Sequence, residues 1–344
     1  MRRPLRAHSY RTAAAVVLAC ALTVTTQQIA RADPATLTQV RAQLDTLYHQ
    51  AEVATDKYNA ADEKVAKQKK RIDKLNAQVK TTEAKLSVLN SQAAAVARAQ
   101  YRGGGLPAEM QFVLDDDPAT ALDNASLNRK AQQARHSVLA ALGTTREDLR
   151  HRTDDASDEL KDLKATRRTQ KDQQQKIEKH IKAAKQLESQ LAAKQLQRIA
   201  ALERQEEADA QAQWVSTGVL KKVGKKGTSA GRKAVAYAAK QIGKPYVWGA
   251  EGPSSFDCSG LTSQAWLAAG HPIPRTSEEQ WRQLKHIPVD DMRPGDLIIY
   301  FADASHVAIY VGDGQIIQAP RPGRWVYESP AASMPILGAV RPDA

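Results

Sequence analysis

Cysteine is almost absent from this chain: its 344 residues include only Cys20 and Cys258. Aromatic residues are also few, and only three of them are phenylalanine. A chain that loses Cys20 on export keeps one thiol, which excludes a fold held together by internal disulfide bonds. An unpaired cysteine in an oxidising compartment is either incidental or reactive. The surrounding sequence has to decide which of these Cys258 is.

The first 32 residues are typical of an export signal. Arginines precede an apolar run over 12–24, and Ala30 and Ala32 are the small residues that a signal peptidase recognises. We therefore expect residues 1–32 to be a signal peptide and the mature protein to be secreted. Lipid attachment at Cys20 and a twin-arginine signal are alternatives, and both also place the protein outside the cytoplasm.

Proline is missing from 119–244, whereas 11 of the 15 prolines and 11 of the 17 aromatic residues lie in 231–344. This contrast predicts a long helical region followed by a compact domain rich in turns. We place the helical region at 33–215 and the compact domain at 232–344. Residues 216–231 are rich in glycine and lysine, which predicts a flexible basic linker.

A heptad repeat runs along the first predicted helix. From Leu37 to Val96, 16 of the 18 positions with alternating three- and four-residue spacing are apolar. Such a narrow stripe has to pack against another helix, and a weaker seam over roughly 128–213 offers a partner. Glycine and proline interrupt the helices in 101–126. We therefore predict an antiparallel coiled-coil hairpin with a helical tip near 101–126, and a parallel dimer of the first helix is the alternative.

The positive charge of the chain is moderate. The formal net charge of +12 includes five arginines of the export signal, so residues 33–344 carry +7. Six lysines and arginines in 221–233 meet no acidic residue. This excess is typical of a solvated linker, and attraction to an anionic cell envelope is the alternative. Nucleic acid is not an expected partner, because an exported chain without a recognition motif has no reason to bind it.

Cys258 lies in the segment SSFDCSGLTSQAW, residues 254–266. Asp257 is a typical N-cap residue, and the apolar residues that follow have helical spacing, so Cys258 is predicted at a helix N-terminus. The helix dipole and the free amides at this end stabilise a thiolate and lower the pKa of the thiol. The same amides can stabilise an oxyanion. A buried structural cysteine is the alternative for this position.

A histidine strengthens the catalytic interpretation of the thiol. His271 and His286 lie in predicted loop and surface segments, whereas His306 opens HVAIYVGDGQIIQAP, which predicts two strands joined by a tight turn. His306 and Gln318 both have even numbers, so a hairpin that pairs even-numbered residues with even-numbered residues places them on one face. There Gln318 can accept a hydrogen bond from the ring. Cys258, His306 and Gln318 would then be the thiol, base and orienting group of a cysteine hydrolase. A register shift of one residue would separate them.

Four segments resemble the NlpC family of peptidoglycan endopeptidases: GKPYVWGAEGPSSFDCSGLTSQAW, PRTSEEQW, MRPGDLIIY and ASHVAIYVGDGQIIQAP. The resemblance spans nearly all of 234–344 and implies an α+β protein, with a papain-like catalytic domain after the hairpin. It implies that Cys258 is the nucleophile and His306 the general base. Gln318 takes the third polar position, where relatives most often have histidine. The resemblance also implies a set of substrate-binding residues: Tyr246, Asp257 and Ser259.

The resemblance further implies a function. The chain would hydrolyse peptidoglycan stem peptides at the bond between D-γ-glutamate and the diamino acid, without a metal or an organic cofactor. The hairpin is similar to that of Gram-positive and actinobacterial wall hydrolases, which implies restraint of the enzyme until an FtsX-like membrane protein binds the coil; a rigid spacer is the alternative. A catalytically inactive wall-binding or activator protein that acts through its coiled coil is the alternative for the whole chain.

Overall fold

The computed structural model describes residues 34–102 and 118–344. The predicted export signal and most of the predicted tip lie outside these residues. Two long helices, α1 (Pro34–Arg102) and α2 (Pro118–Ser189), make up most of the N-terminal part. In the described part of the chain, no helix is both long enough and apolar enough to cross a membrane.

Helices α1 and α2 run antiparallel along their length. Gln170 Nε2 donates to Asp62 Oδ1 at 2.7 Å, and Arg71 Nε lies 2.9 Å from a Glu159 oxygen. As the residue number increases along α1, the number of the partner on α2 decreases, which is the antiparallel arrangement. This confirms the predicted antiparallel hairpin and shows that the first helix finds its partner within its own chain. Both helices contribute buried apolar side chains to the seam, among them Leu44, Val65, Ile177 and Ala184.

The second half of the hairpin is broken, although one continuous helix over 128–213 was expected. Helix α2 ends at Ser189, and a separate helix, α3 (Ala193–Ser216), follows after a short turn. The backbone at Ala192 is extended, and its N–H donates to Gln195 Oε1 at 2.8 Å, which begins the new helix. The turn contains neither glycine nor proline, so composition gave no signal for it.

Residues 216–231 pack against the C-terminal domain, which corrects the expectation of a flexible linker. A 3-10 turn, Val219–Lys221, leads into this segment. Val219 and Val223 are buried in a cluster that includes Met292 of the C-terminal domain. The two valines are four residues apart and bury their side chains against the sheet, and Gly227 and Gly231 are buried as well, whereas the lysines remain exposed.

The C-terminal domain combines three helices with one antiparallel sheet. The helices are α4 (Ser229–Ala239), α5 (Cys258–Ala268) and α6 (Ser277–Gln283). The six strands lie in the order β1-β6-β2-β3-β4-β5, and their bounds are β1 Lys285–Ile287, β2 Leu297–Tyr300, β3 His306–Gly312, β4 Gln315–Gln318, β5 Tyr327–Pro330 and β6 Ile336–Arg341. One apolar cluster joins α4 and α5 to the sheet, and a second joins the sheet to Val219 and Val223. This is the predicted α+β architecture.

Candidate active site

Cys258 is the first residue of α5. The side chain of Asp257 caps this helix by accepting a hydrogen bond from the Gly260 N–H at 2.7 Å. The amides of Cys258 and Ser259 have no acceptor within the helix, because the first four N–H groups of any α-helix lack one. The sulfur therefore lies at the end of the helix where the dipole and free donors favour negative charge.

His306 begins β3 and contacts residues that are distant in sequence. In the β3–β4 hairpin Tyr310 pairs with Ile316, so His306 and Gln318 lie on the same face of the sheet. The ring Nε2 donates to Gln318 Oε1 at 2.8 Å. The imidazole also lies near enough to the Cys258 thiol for each group to shift the pKa of the other. The thiol, the imidazole and the amide are all buried.

Asp257 is fully buried and binds Arg275 through both carboxylate oxygens, at 3.0 and 2.7 Å. It also accepts from the Gly249 N–H at 2.8 Å. The Ser259 hydroxyl accepts from the same guanidinium at 2.9 Å. Ser259 was expected to face the substrate groove, but its buried hydroxyl binds Arg275 instead. The two residues that flank the nucleophile are therefore locked in place by one arginine.

Tyr246 lies in the same buried cluster as the nucleophile. Its backbone forms an isolated bridge with Phe256, two residues before Cys258, and only 6% of the residue is exposed. Burial raises the pKa of Tyr246 well above its ordinary value, and the negative charges of Cys258 and Asp257 act in the same direction. The phenol is therefore a neutral group next to the sulfur.

Comparison with known proteins covers this same part of the chain. Residues 243–335 match the NlpC/P60 family. The C-terminal domain is an NlpC/P60 domain. The resemblance drawn from the four sequence segments is thereby confirmed, and the hairpin lies outside the matched residues.

The NlpC/P60 domain has relatives in several bacteria. A "Probable endopeptidase" of Corynebacterium glutamicum is 42% identical over 113 residues, which cover 33% of this chain and 54% of that protein. "Probable endopeptidase p60" of Listeria monocytogenes is 46% identical over 87 residues, which cover 25% of this chain and 18% of that protein. A solved NlpC/p60 domain of the peptidoglycan hydrolase SagA is 38% identical, with 32% of this chain and 97% of that domain covered and a TM-score of 0.31. The chain spans about half the length of the first of these relatives.

Helix α1 brings a carboxylate into the active site of the NlpC/P60 domain. Glu52 Oε1 lies 3.2 Å from His306 Nδ1, the ring nitrogen not bound to Gln318, and both side chains are buried. Burial by itself would lower the pKa of His306. The charges of Glu52 and Cys258 outweigh this effect and raise the pKa well above its ordinary value. Glu52 thus favours the imidazolium form, which cannot take a proton from the thiol.

Two further side chains of α1 bind the NlpC/P60 domain on the same helix face. The Asp56 carboxylate accepts hydrogen bonds from the Ser277 N–H at 3.4 Å, from the Ser277 hydroxyl, and from the Glu278 N–H at 3.2 Å. Asn59 Nδ2 donates to Asp257 Oδ2 at 3.1 Å. Residues spaced four and three apart share one face of a helix. Glu52, Asp56 and Asn59 thus cover the active site as a single polar stripe, which we call the α1 stripe.

The α1 stripe changes the environment of the nucleophile. Only 4% of Cys258 is exposed. Burial raises the pKa of the thiol, the positive charge of His306 opposes the rise, and the negative charges of Asp257 and Asp56 add to it. The pKa is therefore raised, opposite to the lowering expected from the helix N-terminus, because Cys258 is packed in the core of its own domain and Asp56 of the stripe adds negative charge.

Sequence reasoning missed both the α1 stripe and Arg275. The heptad pattern assigns the apolar positions of α1 to the seam with α2 and leaves Glu52, Asp56 and Asn59 as ordinary polar positions. Nothing in their spacing distinguishes a stripe that binds a second domain from one that faces water. Arg275 stands in the quoted PRTSEEQW segment, but its partner Asp257 is 18 residues away and only the fold brings them together.

The site contains no arrangement suited to a metal ion. Within the described residues, no three side chains of histidine, cysteine, aspartate or glutamate are grouped as metal ligands. The charged side chains are instead bound to one another, His306 to Glu52 and Asp257 to Arg275.

Proposed function

We propose that this chain is a secreted cysteine endopeptidase that hydrolyses the stem peptides of peptidoglycan, and that its coiled-coil hairpin restrains the activity. The observation that carries the proposal is a buried histidine, His306, that is hydrogen-bonded to Gln318 and shifts the pKa of Cys258 at a helix start within an NlpC/P60 domain. The names of the relatives, two endopeptidases and a peptidoglycan hydrolase, support the reaction and the substrate class.

The reaction uses the thiol as nucleophile and the imidazole as proton carrier. His306 Nδ1 takes the thiol proton, and the sulfur attacks the carbonyl carbon of the scissile amide. The amides of Cys258 and Ser259 stabilise the oxyanion. The intermediate collapses to a thioester as the imidazolium protonates the leaving amine. A water molecule, deprotonated by His306, then releases the acid and restores the thiol.

The bond proposed for cleavage joins D-γ-glutamate to the diamino acid of the stem peptide. The carbonyl of D-γ-glutamate would acylate Cys258, and the amine of the diamino acid would leave. Tyr246 and Asp257 lie next to the sulfur and are the proposed substrate contacts. In this arrangement the N–H₂ group of Asn59 donates a hydrogen bond to Asp257. A substrate group that binds Asp257 in its place would therefore also be a hydrogen-bond donor.

Restraint by the hairpin is proposed from the α1 stripe. A peptide cannot reach Cys258 while α1 covers it, and His306 cannot act as a base while Glu52 stabilises its protonated form. Both blocks are removed together if α1 leaves the NlpC/P60 domain. We propose that a partner of the coil causes this release, and an FtsX-like membrane protein is the candidate. The export signal at 1–32 would place the enzyme where both wall and partner are found.

The test uses the full-length chain and purified peptidoglycan. Glu52→Ala removes the carboxylate beside His306. Loss of this buried ion pair should cost the covered arrangement a few kcal/mol, so peptide release should rise at least about tenfold. Mass spectrometry of the released fragments identifies the bond. Cys258→Ala in the Glu52→Ala chain should abolish release. Continued release from that double variant would contradict the mechanism, and no release from Glu52→Ala would favour the inactive wall-binding alternative.

A further inference from the structure

The orienting amide of the active site has a partner of its own. Gln318 ends β4 and pairs with Tyr327 of β5, while Ile316 pairs with Ser329. Gln318 and Ser329 are therefore diagonal neighbours on one face of the sheet. Gln318 Nε2 donates to Ser329 Oγ at 2.7 Å, and Gln318 Oε1 accepts from His306 at 2.8 Å. All three side chains are buried, with exposed fractions of 0% for His306, 2% for Gln318 and 3% for Ser329.

We infer that Ser329 is a positioning residue for catalysis, which acts by holding the Gln318 amide with its oxygen toward His306. The inference rests on the proposed function of the site. The buried Ser329 hydroxyl is hydrogen-bonded to Gln318, so Ser329 would act through Gln318.

The need for such a residue follows from the chemistry of an amide. The imidazolium that forms during the reaction carries an N–H on both ring nitrogens, so its partner has to be an acceptor. A carboxylate offers an oxygen on either side, but glutamine offers one oxygen and one N–H₂ group. A flipped Gln318 would place a donor against a donor in a buried site, where an unsatisfied polar group is costly. The clash at His306 selects the amide orientation, and by accepting from the N–H₂ group Ser329 holds the Gln318 side chain where its oxygen reaches the ring.

The variant that tests the inference is Ser329→Ala, made in the full-length Glu52→Ala chain so that the activity is released. We expect kcat for peptide release to fall about three- to tenfold, because one hydrogen bond is lost. KM should not change, because that hydrogen bond does not involve the substrate. Ser333→Ala is the matched control, because the buried Ser333 hydroxyl has no hydrogen-bond partner among the described residues. Ser329→Thr keeps the hydroxyl and should retain activity. Equal kcat in the alanine variant and its parent would overturn the inference.

A double-mutant cycle separates positioning from a general structural effect. If Ser329 acts only through Gln318, then Ser329→Ala should cause no further loss of kcat in a chain that already carries Gln318→Ala. Independent, multiplying losses would overturn the inference. Should Ser329→Ala fail to fold, Ser329→Cys preserves the side-chain size and replaces a good acceptor by a weak one, and it serves the same cycle.

A spectroscopic measurement keeps the inference testable even if the chain hydrolyses no peptide. In the full-length chain with isotope-labelled histidine, the ring nitrogen signals of His306 report its tautomer and its pKa. Ser329→Ala should lower that pKa and weaken the Nε2–H hydrogen-bond signature, whereas Ser333→Ala should change neither. An unchanged His306 signal would overturn the role of Ser329, while absent hydrolysis with a changed signal would contradict only the proposed function.

Discussion

Asp56 shows how one residue links the hairpin to the NlpC/P60 domain. Its carboxylate is buried between the two and binds Ser277 and Glu278 on one side, with the negative charge of Asp257 nearby. Burial raises the pKa of Asp56 to about 7, and the hydrogen bonds from Ser277 and Glu278 only partly offset the rise. In a released hairpin the same carboxyl would titrate near its ordinary value of about 3.9.

The covered arrangement should therefore be favoured by acid. A group whose pKa is raised on docking binds protons more tightly in the docked state, so its contribution is full below the free pKa and is lost as pH rises through the docked pKa. The pKa of His306 is also raised, by the charge of Glu52 that α1 brings to the ring, so Asp56 and His306 act in the same direction. We expect alkylation of Cys258 in the full-length chain to become several-fold faster between about pH 5 and pH 8, beyond the increase that a free thiol shows.

Asp56→Asn is the control for this pH dependence. The amide oxygen can still accept from the backbone of Ser277 and Glu278, but it cannot ionise. The variant should therefore keep the site covered at pH 8 and show a flatter alkylation profile. An identical profile in Asp56→Asn and the unaltered chain would show that Asp56 does not contribute.

At the scale of elements, the segment before the NlpC/P60 domain belongs to the core of that domain. Val219 and Val223 are buried against the sheet, and Thr228 caps α4 by accepting from the Gly231 N–H at 2.9 Å. A fragment that begins at residue 232 lacks all of these contacts as well as the first turn of α4. The boundary of the stable unit therefore lies near residue 217, earlier than composition suggested.

This boundary predicts a difference between two fragments. The fragment 217–344 should unfold at a higher temperature than the fragment 232–344. In 217–344, the double variant Val219→Ala/Val223→Ala should lose roughly 1–3 kcal/mol of unfolding free energy, because each substitution removes two methyl groups from a packed cluster. Thermal and denaturant unfolding measure both effects. A surface change, Leu337→Ala, serves as the control, since 37% of that residue is exposed; equal melting of the two fragments would contradict the boundary.

At the scale of the whole molecule, the hairpin has two kinds of attachment. Helix α3 is joined to the NlpC/P60 domain by Gln211, which donates to the Gly314 carbonyl at 2.9 Å and accepts from the Ala332 N–H at 2.9 Å. Helix α1 covers the active site through the α1 stripe. Helix α3 also packs against α1, through Ile199 beside Leu37 and Leu44 and through the ion pair of Arg41 with Glu206. Release of the site therefore has to break contacts of α1 with both the domain and α3, or move α3 as well.

Removal of the hairpin should expose the thiol. The fragment 217–344 lacks the α1 stripe, so Cys258 should react with an alkylating agent at least about tenfold faster than in the full-length chain at neutral pH. Peptide release from peptidoglycan should rise in parallel. Alkylation rates that are equal in the fragment and in the full-length chain would contradict restraint by the hairpin and favour its interpretation as a spacer.

The sequence by itself determined where the main elements lie and which residues carry the chemistry. The heptad repeat predicted the antiparallel hairpin because a narrow apolar stripe has to find a second helix. The N-cap residue Asp257 placed Cys258 at the start of a helix. His306 and Gln318 are separated by an even number of positions, which placed their side chains on one face of the hairpin. Each of these features depends on local spacing, which sequence records directly.

Only the tertiary structure decided what covers the site and what supports it. Glu52 meets His306 across 254 positions of the chain, and the polar character of Glu52 fits a solvent-facing helix equally well. The contacts of Arg275 with Asp257 and of Ser329 with Gln318 likewise arise from packing between separate elements. The pKa of Cys258 moved against the expectation from its helix, because the fold buries the sulfur in the core of the C-terminal domain.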